Sequence, residues 1–312
     1  MTRAFIDGFE ARLVDVGEAR IFAEIGGSGP PLLLLHGYPQ THAAWHRVAP
    51  VLARRYTVVA ADLRGYGDSL GPLGDPLHAA HSKRAVAADQ AALMRALGFE
   101  RFAVIGHDRG ARVAHRLCLD HPERVAAFGS ITVIPTVEMW ARANKDFGLK
   151  SWHWFMLAQP FDLPERLLAA DPGYFLDWTL RNMVRRFDAV TPEAHAEYLR
   201  AFSRESVRHA MIEDYRAAAS IDLEHDEHGR AAGERVRCPV HVLWERGRFP
   251  AERTPVHVWR DAAAEGTPVG GGEIDCGHLM MEEAPEAVLA ELLPFLRAHW
   301  PSPGTAHPSH IP

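Results

Sequence analysis

One stretch constrains this 312-residue chain more than any other: the apolar Ala103-Val104-Ile105, then Gly106-His107-Asp108-Arg109-Gly110, then Ala111-Arg112. An apolar run of this length suits a strand buried on both faces. The small residues around Asp108 permit a tight, strained turn from that strand into a helix, with the central side chain thrust out at the helix N-terminus. Such a turn needs a sheet around it, and the sequence supplies one. Pro31 to Leu35 is a short apolar run stopped by His36-Gly37-Tyr38-Pro39, and Tyr56 to Ala61 reads the same way. Val125 to Val133 and Cys238 to Trp244 add two more. Between the first two, Thr41 to Arg54 has helical spacing in Trp45, Val48, Val51 and Leu52. Ser82 to Leu97 predicts a helix with Ser82 as its N-cap, an apolar stripe at Val86, Leu93 and Leu97, and Gly98 just past its end. Helices are also expected over Ala111–Asp120 and Pro285–Trp300. Strands alternating with helices predict an α/β fold: a mostly parallel, doubly wound sheet with its functional groups at the C-terminal ends of the strands.

The pattern changes at Ile134-Pro135-Thr136. From there to about Gly233 the chain reads as helix upon helix, rich in aromatics such as Trp140, Trp152, Trp154 and Trp178. We therefore expect a core of residues 1–134 and 237–300, an inserted helical cap over 135–236, and a disordered tail over 301–312, which is Pro, Gly, Ser and His without apolar periodicity. The formal net charge is −6 and no block of like charge stands out, which argues against nucleic acid as a partner and for small molecules. No run of 18 apolar residues suggests a membrane span. The 19 histidines scatter without metal-ligand spacing, so no metal or other cofactor is expected. Three cysteines, Cys118, Cys238 and Cys276, are too few for a disulfide framework, and a cytoplasmic location is the expectation.

A carboxylate presented as Asp108 is can attack carbon, form an ester and leave that ester to water, dividing one hard displacement into two easier steps. The bland alternative is an aspartate capping its helix. His278, in Asp275-Cys276-Gly277-His278 before the last helix, stands where a triad histidine follows nucleophile and acid in chain order, and could activate the water. After the first buried strand, a backbone N–H of His36-Gly37-Tyr38-Pro39 could complete an oxyanion hole with the N–H of Arg109. A plain Gly-Pro turn is the alternative there.

These segments resemble the α/β-hydrolases, and most closely the fluoroacetate (haloacetate) dehalogenases. His36-Gly37-Tyr38-Pro39-Gln40 and Ala61-Asp62-Leu63-Arg64-Gly65-Tyr66-Gly67 also occur in epoxide hydrolases. Gly106 to Arg112, Trp152-His153-Trp154-Phe155 and Glu213-Asp214-Tyr215-Arg216-Ala217 are more specific. The resemblance implies a hydrolase that cuts carbon–halogen bonds in a halogenated carboxylate. It implies that Asp108 displaces halide, that Arg109 and Arg112 hold the substrate carboxylate with Tyr38 beside them, and that His153, Trp154 and Tyr215 bind the departing halide. It also implies a homodimer. Guanidinium groups suit a planar carboxylate because they donate in a fixed fork.

One position departs from the family. Its triad acid is expected after the strand that follows the nucleophile helix, where this chain has Thr132 in Ile131-Thr132-Val133-Ile134-Pro135-Thr136. After the next strand the chain reads Glu245-Arg246-Gly247-Arg248, with Arg248 near the acid position; Glu245 is a candidate substitute for the acid, but out of place by the usual spacing. A threonine hydroxyl can hold a histidine tautomer but cannot stabilise an imidazolium as an anion does. The expectation from sequence is therefore a fast first step and a slow ester hydrolysis. Two rival readings stand beside this one. An epoxide hydrolase would need two cap tyrosines, for which Tyr174, Tyr198 and Tyr215 are available. A ligand-binding homologue with impaired catalysis would explain Thr132.

Overall fold

The computed structural model describes residues 4–301, so the expected tail lies, apart from Pro301, outside the described residues. The chain's apolar runs pair into an eight-stranded sheet among those residues: β1 (Glu10–Asp15), β2 (Arg20–Gly26), β3 (Pro31–Leu35), β4 (Thr57–Ala61), β5 (Phe102–His107), β6 (Val125–Ile131), β7 (Val240–Glu245) and β8 (Val269–Ile274). Their order across the sheet is β1-β2-β4-β3-β5-β6-β7-β8. From β4 to β8 every pairing is parallel, whereas β2 pairs antiparallel with both β1 and β4. β5 and β6 lie inside the sheet, with every residue buried, His107 and Ser130 included, as suits parallel strands covered on both faces.

Parallel strands need long crossovers. A 3₁₀ turn (His42–Trp45) and the short α1 (Ala49–Leu52) join β3 to β4; α2 (Lys83–Ala96) leads into β5, and α3 (Arg109–Asp120) links β5 to β6. Ser82 caps α2 by accepting from the Ala85 N–H. The continuous helix expected over Thr41–Arg54 is not formed. Pro50 lies in the first turn of α1 and has no N–H to bond back, so the segment breaks into two short turns. Trp45, Val48 and Leu52 are nevertheless buried against the sheet, so the apolar spacing reported packing correctly and continuity wrongly.

Eight helices are inserted between β6 and β7: α4 (Thr136–Trp140), α5 (Lys145–Lys150), α6 (Trp152–Leu157), α7 (Leu163–Ala170), α8 (Pro172–Met183), α9 (Pro192–Phe202), α10 (Glu205–Ala218) and α11 (Ile221–Ala231). Trp154, Leu168, Leu180, Tyr198 and Met211 of this insertion join the apolar cluster on one face of the sheet. Beyond β7, α12 (Pro255–Ala262) precedes β8, while α13 (Met280–Glu283) and α14 (Pro285–His299) follow it and cover the other face. No helix among the described residues is long and apolar enough to cross a membrane.

The turn from β5 into α3 depends on close backbone approach. A Cβ on Gly110 would lie 2.3 Å from the Leu35 carbonyl oxygen and 2.4 Å from that of His36; one on Gly106 would lie 2.5 Å from Ala111 N. The obstacles are backbone and cannot rotate away. Gly110→Ala is therefore expected to destabilise the protein by about 1–3 kcal/mol through overpacking at the β3–α3 contact. Denaturant unfolding checks this, and an unchanged midpoint would contradict it.

Candidate active site

Asp108 follows β5 directly and adopts φ 48°, ψ −114°, a conformation that L side chains rarely take. Its side chain makes no capping hydrogen bond to α3, so the helix-cap alternative does not hold. The carboxylate instead turns towards the end of β3, where Oδ1 accepts the Tyr38 N–H at 3.1 Å. The Arg109 N–H, the other donor expected of an oxyanion hole, makes no hydrogen bond to this carboxylate. Burial disfavours the charged carboxylate, but His278, and then the Arg109 charge, outweigh it and hold Asp108 well below the usual carboxylate range.

His278 reaches the same carboxylate from the loop after β8, with Nε2 3.6 Å from Asp108 Oδ2. That loop is tied from two sides: the His278 N–H donates to the Met183 carbonyl, and His107 Nε2 lies 2.9 Å from the His278 carbonyl. On its far side, His278 Nδ1 lies 2.9 Å from Oε1 of Glu245, the last residue of β7. This corrects the expectation that Glu245 is out of place. Thr132 stands just past β6 at φ 71°, and its Oγ1 is buried without a hydrogen-bond partner. It therefore does not hold the histidine. Because β7 runs parallel to β6, with Ile131 opposite Leu243, a carboxylate at its C-terminal end reaches the same histidine from one strand further along. Burial pushes the His278 imidazolium down, and the carboxylates of Asp108 and Glu245 more than reverse this, raising it to about 9.

The two arginines of α3 are locked by different partners. Arg109 is fully buried and forks onto Asp214 of α10, with Nε at 2.7 Å from Oδ2 and Nη2 at 3.0 Å from Oδ1, leaving Nη1 unbonded. Arg112 Nη1 donates to the Ile134 carbonyl (3.0 Å) and Thr136 Oγ1 (3.1 Å), leaving Nε unbonded. Each guanidinium thus keeps an unspent donor. Burial and the neighbouring Arg109 charge bring Arg112 down to about 10, still cationic near neutrality. Reasoning from sequence included Asp214 in a segment but gave it no role. It also receives the Tyr66 hydroxyl at 2.9 Å and the Lys83 ammonium, and Lys83 is held in turn by Asp222. The sequence around Asp214 carries no local signal of these partners, which arrive from α2, α3 and the loop after β4.

Around Tyr38 the aromatic residues close in. Its ring stacks on His153 (5.8 Å, 10°) and meets Tyr215 edge-on at 5.2 Å; Tyr215 also meets Trp154 at 5.9 Å. Arg109 lies over the Tyr215 face at 4.2 Å and Arg112 over Trp154 at 4.9 Å. Burial lowers His153 to about 4, so it is neutral at physiological pH. The three tyrosines considered for epoxide opening do not gather. Tyr174 is 68% exposed, and the Tyr198 hydroxyl is engaged by Glu282 and Gln40, which leaves Tyr215 alone in this cluster.

The α/β hydrolase fold profile matches residues 30–245. A fluoroacetate dehalogenase of a Burkholderia species is 48% identical over 238 residues, 76% of this chain and 78% of that protein. A soluble epoxide hydrolase of Corynebacterium sp. is 31% identical over 276 residues, 86% of this chain and 91% of that one. The solved structure of a candidate epoxide hydrolase from Pseudomonas aeruginosa is 52% identical, with a TM-score of 0.91 over 96% of this chain and 98% of that chain.

The His278 geometry makes a signed prediction. A raised pKa means that the ion pairs stabilise the fold fully below about 6.5, and that this contribution is lost as pH rises through about 9. Histidine NMR should show His278 titrating near 9, and Glu245→Gln should lower that midpoint by about 1 unit or more. The stability gap between wild type and Glu245→Gln should close as pH rises past the same point. A midpoint unmoved by the substitution would contradict the pairing.

Proposed function

The chain belongs to the α/β-hydrolase fold family, and from the site it carries we propose that it is a hydrolytic dehalogenase of short 2-haloacids, working through an ester on Asp108. The observation that carries this reading is the placement of two buried arginines, each with a spare N–H, on the helix that begins beside the Asp108 carboxylate. A neutral epoxide gives no reason for them. A haloacid does, because two cations offset the repulsion between its carboxylate and the attacking one.

In this reading Arg109 and Arg112 bind the substrate carboxylate and aim its α-carbon at Asp108. Oδ2 attacks that carbon and the carbon–halogen bond breaks. The halide leaves towards neutral donors: the His153 imidazole, the Trp154 indole and the Tyr215 hydroxyl. Oδ1, which already accepts the Tyr38 N–H, becomes the ester carbonyl oxygen, and that N–H then meets the oxyanion formed when water adds. Forming the ester also removes the negative charge of Asp108. His278 loses one of the two carboxylates that keep it protonated, releases that proton to solvent alongside the halide, and becomes a base that takes a proton from the attacking water. Glu245 remains to orient its tautomer and stabilise the imidazolium. The adduct then collapses: the bond between the Asp108 carboxyl carbon and the ester oxygen breaks, that oxygen takes the proton held by His278, and the hydroxyacid leaves with the Asp108 carboxylate restored.

With Glu245 in that role, an acid-less triad no longer motivates either a sluggish second step or a binding-only homologue. A homodimer is part of the same reading. Seven of the eleven large exposed apolar side chains among the described residues fall in the insertion, Phe161 (77% exposed) and Leu149 (69%) among them, and support its outer surface as the contact.

Halide release from fluoroacetate, chloroacetate and 2-halopropionates, assayed beside hydrolysis of a styrene-oxide-type epoxide, tests the substrate class. Haloacids should turn over and the epoxide should not; the reverse preference would overturn the proposal. Arg112→Gln should lower haloacid turnover about ten- to a hundredfold, the loss of one charge-assisted contact of ~1.5–3 kcal/mol. In Glu245→Gln, quenched mass spectrometry should find ester accumulating on the Asp108 peptide. Unlabelled Asp108 under steady turnover would contradict the covalent route.

A further inference from the structure

Glu245 spends both of its cationic contacts on one oxygen. Oε1 lies 2.9 Å from His278 Nδ1 and 2.8 Å from Arg248 Nη1, while Oε2 is buried without a partner. The arginine is not a passing surface group, because its own backbone N–H bonds the Glu245 carbonyl at 3.1 Å and fixes the turn just past β7. Its side chain is 39% exposed and reaches from solvent to a carboxylate that is only 8% exposed. A carboxylate sharing one oxygen between two cations gives less of its field to each.

We propose that Arg248 is a positioning residue that sets the pH at which His278 becomes a base, by sharing the Glu245 oxygen to which that histidine bonds. The proposal rests on the reading of His278 as the base that activates water. The groups facing the pair leave Arg248 as its cationic counterweight. His278 meets Asp108 at 3.6 Å and the ring of His107 at 5.0 Å, and burial keeps His107 neutral. His153, from the insertion, is neutral as well. Burial pushes the nearby Cys276 thiol up to about 12, so it carries no charge. Asp275 of the same loop is paired with Arg185 and Arg246 at the surface. Glu283 of α13 accepts the Gly277 N–H at 2.9 Å beside the histidine and keeps its place whether or not Arg248 is present. Once Asp108 is esterified, the charge in contact with the His278 ring is that of Glu245 opposed by Arg248, with Arg109 and Arg112 beyond the substrate.

Arg248 therefore lowers the basicity of His278 and keeps it unprotonated to a lower pH. The test measures single-turnover ester hydrolysis against pH, with chloroacetate as substrate, in the full chain. Arg248→Gln should move the ascending limb up by about 0.5–1 pH unit, a shift discounted for the solvent around a half-exposed arginine. On that limb this is a rate loss of about three- to tenfold at fixed pH. Arg248→Lys should restore most of the shift, and the halide burst that reports the first step should be unmoved in both. If the limb stays in place in Arg248→Gln while Glu245→Gln slows hydrolysis, Arg248 is only a surface ion pair and the proposal is overturned with the His278–Glu245 reading intact. If Glu245→Gln hydrolyses the ester with the wild-type profile, the histidine does not depend on Glu245, and both readings fall.

Discussion

Everything in the site follows from keeping one buried carboxylate ionised. Asp108 is removed from water at the end of β5, where burial alone would protonate it and end its use as a nucleophile. The fold answers with one backbone donor from the β3 exit, a cationic histidine from beyond β8 and an arginine at the start of α3. Each comes from the C-terminal end of a different parallel strand, where the sheet brings loops together. The strained backbone at Asp108 is maintained because the β3–α3 contact over Gly110 leaves the turn no other course.

The arginines impose a second condition. A guanidinium buried as deeply as that of Arg109 needs a fixed anion, and Asp214 supplies it from the insertion. The insertion thus does more than cover the sheet, since Lys83 and Tyr66 of the core converge on the same aspartate and bind the two parts through charge. Removing Asp214 would leave Lys83 and Arg109 buried without their shared partner, so its loss should disturb both substrate recognition and the seating of α10.

Much of this was legible in the residues. The strand-turn-helix around Asp108, the buried parallel strands, the helical insertion and the position of His278 all follow from local composition and chain order, which sequence carries directly. Of the features that were not legible, three failed for different reasons. The β1–β2 hairpin lies at the sheet edge, and its partly exposed β1 lacks the apolar run that marked the other strands. The break at Pro50 overrode a helical apolar pattern. The acid partner was misjudged because its position was counted along the chain, whereas the relevant distance runs across the sheet. Glu245 ends β7, neighbour to the strand that Thr132 follows, and the histidine lies within reach of both strand ends. Thr132, strained and with its hydroxyl unpaired, marks the place that the acid does not occupy.

The central claim is that the oxygen delivered to the product comes from Asp108 and not from water. A single turnover of excess enzyme on chloroacetate in ¹⁸O-labelled water separates the two routes, because water attacking the ester carbonyl leaves its oxygen on the protein. The account predicts an unlabelled product hydroxyl and one ¹⁸O in the peptide containing Asp108. Label in the product hydroxyl, with Asp108 unlabelled, would mean that water attacks the substrate directly and that the carboxylate is not the nucleophile.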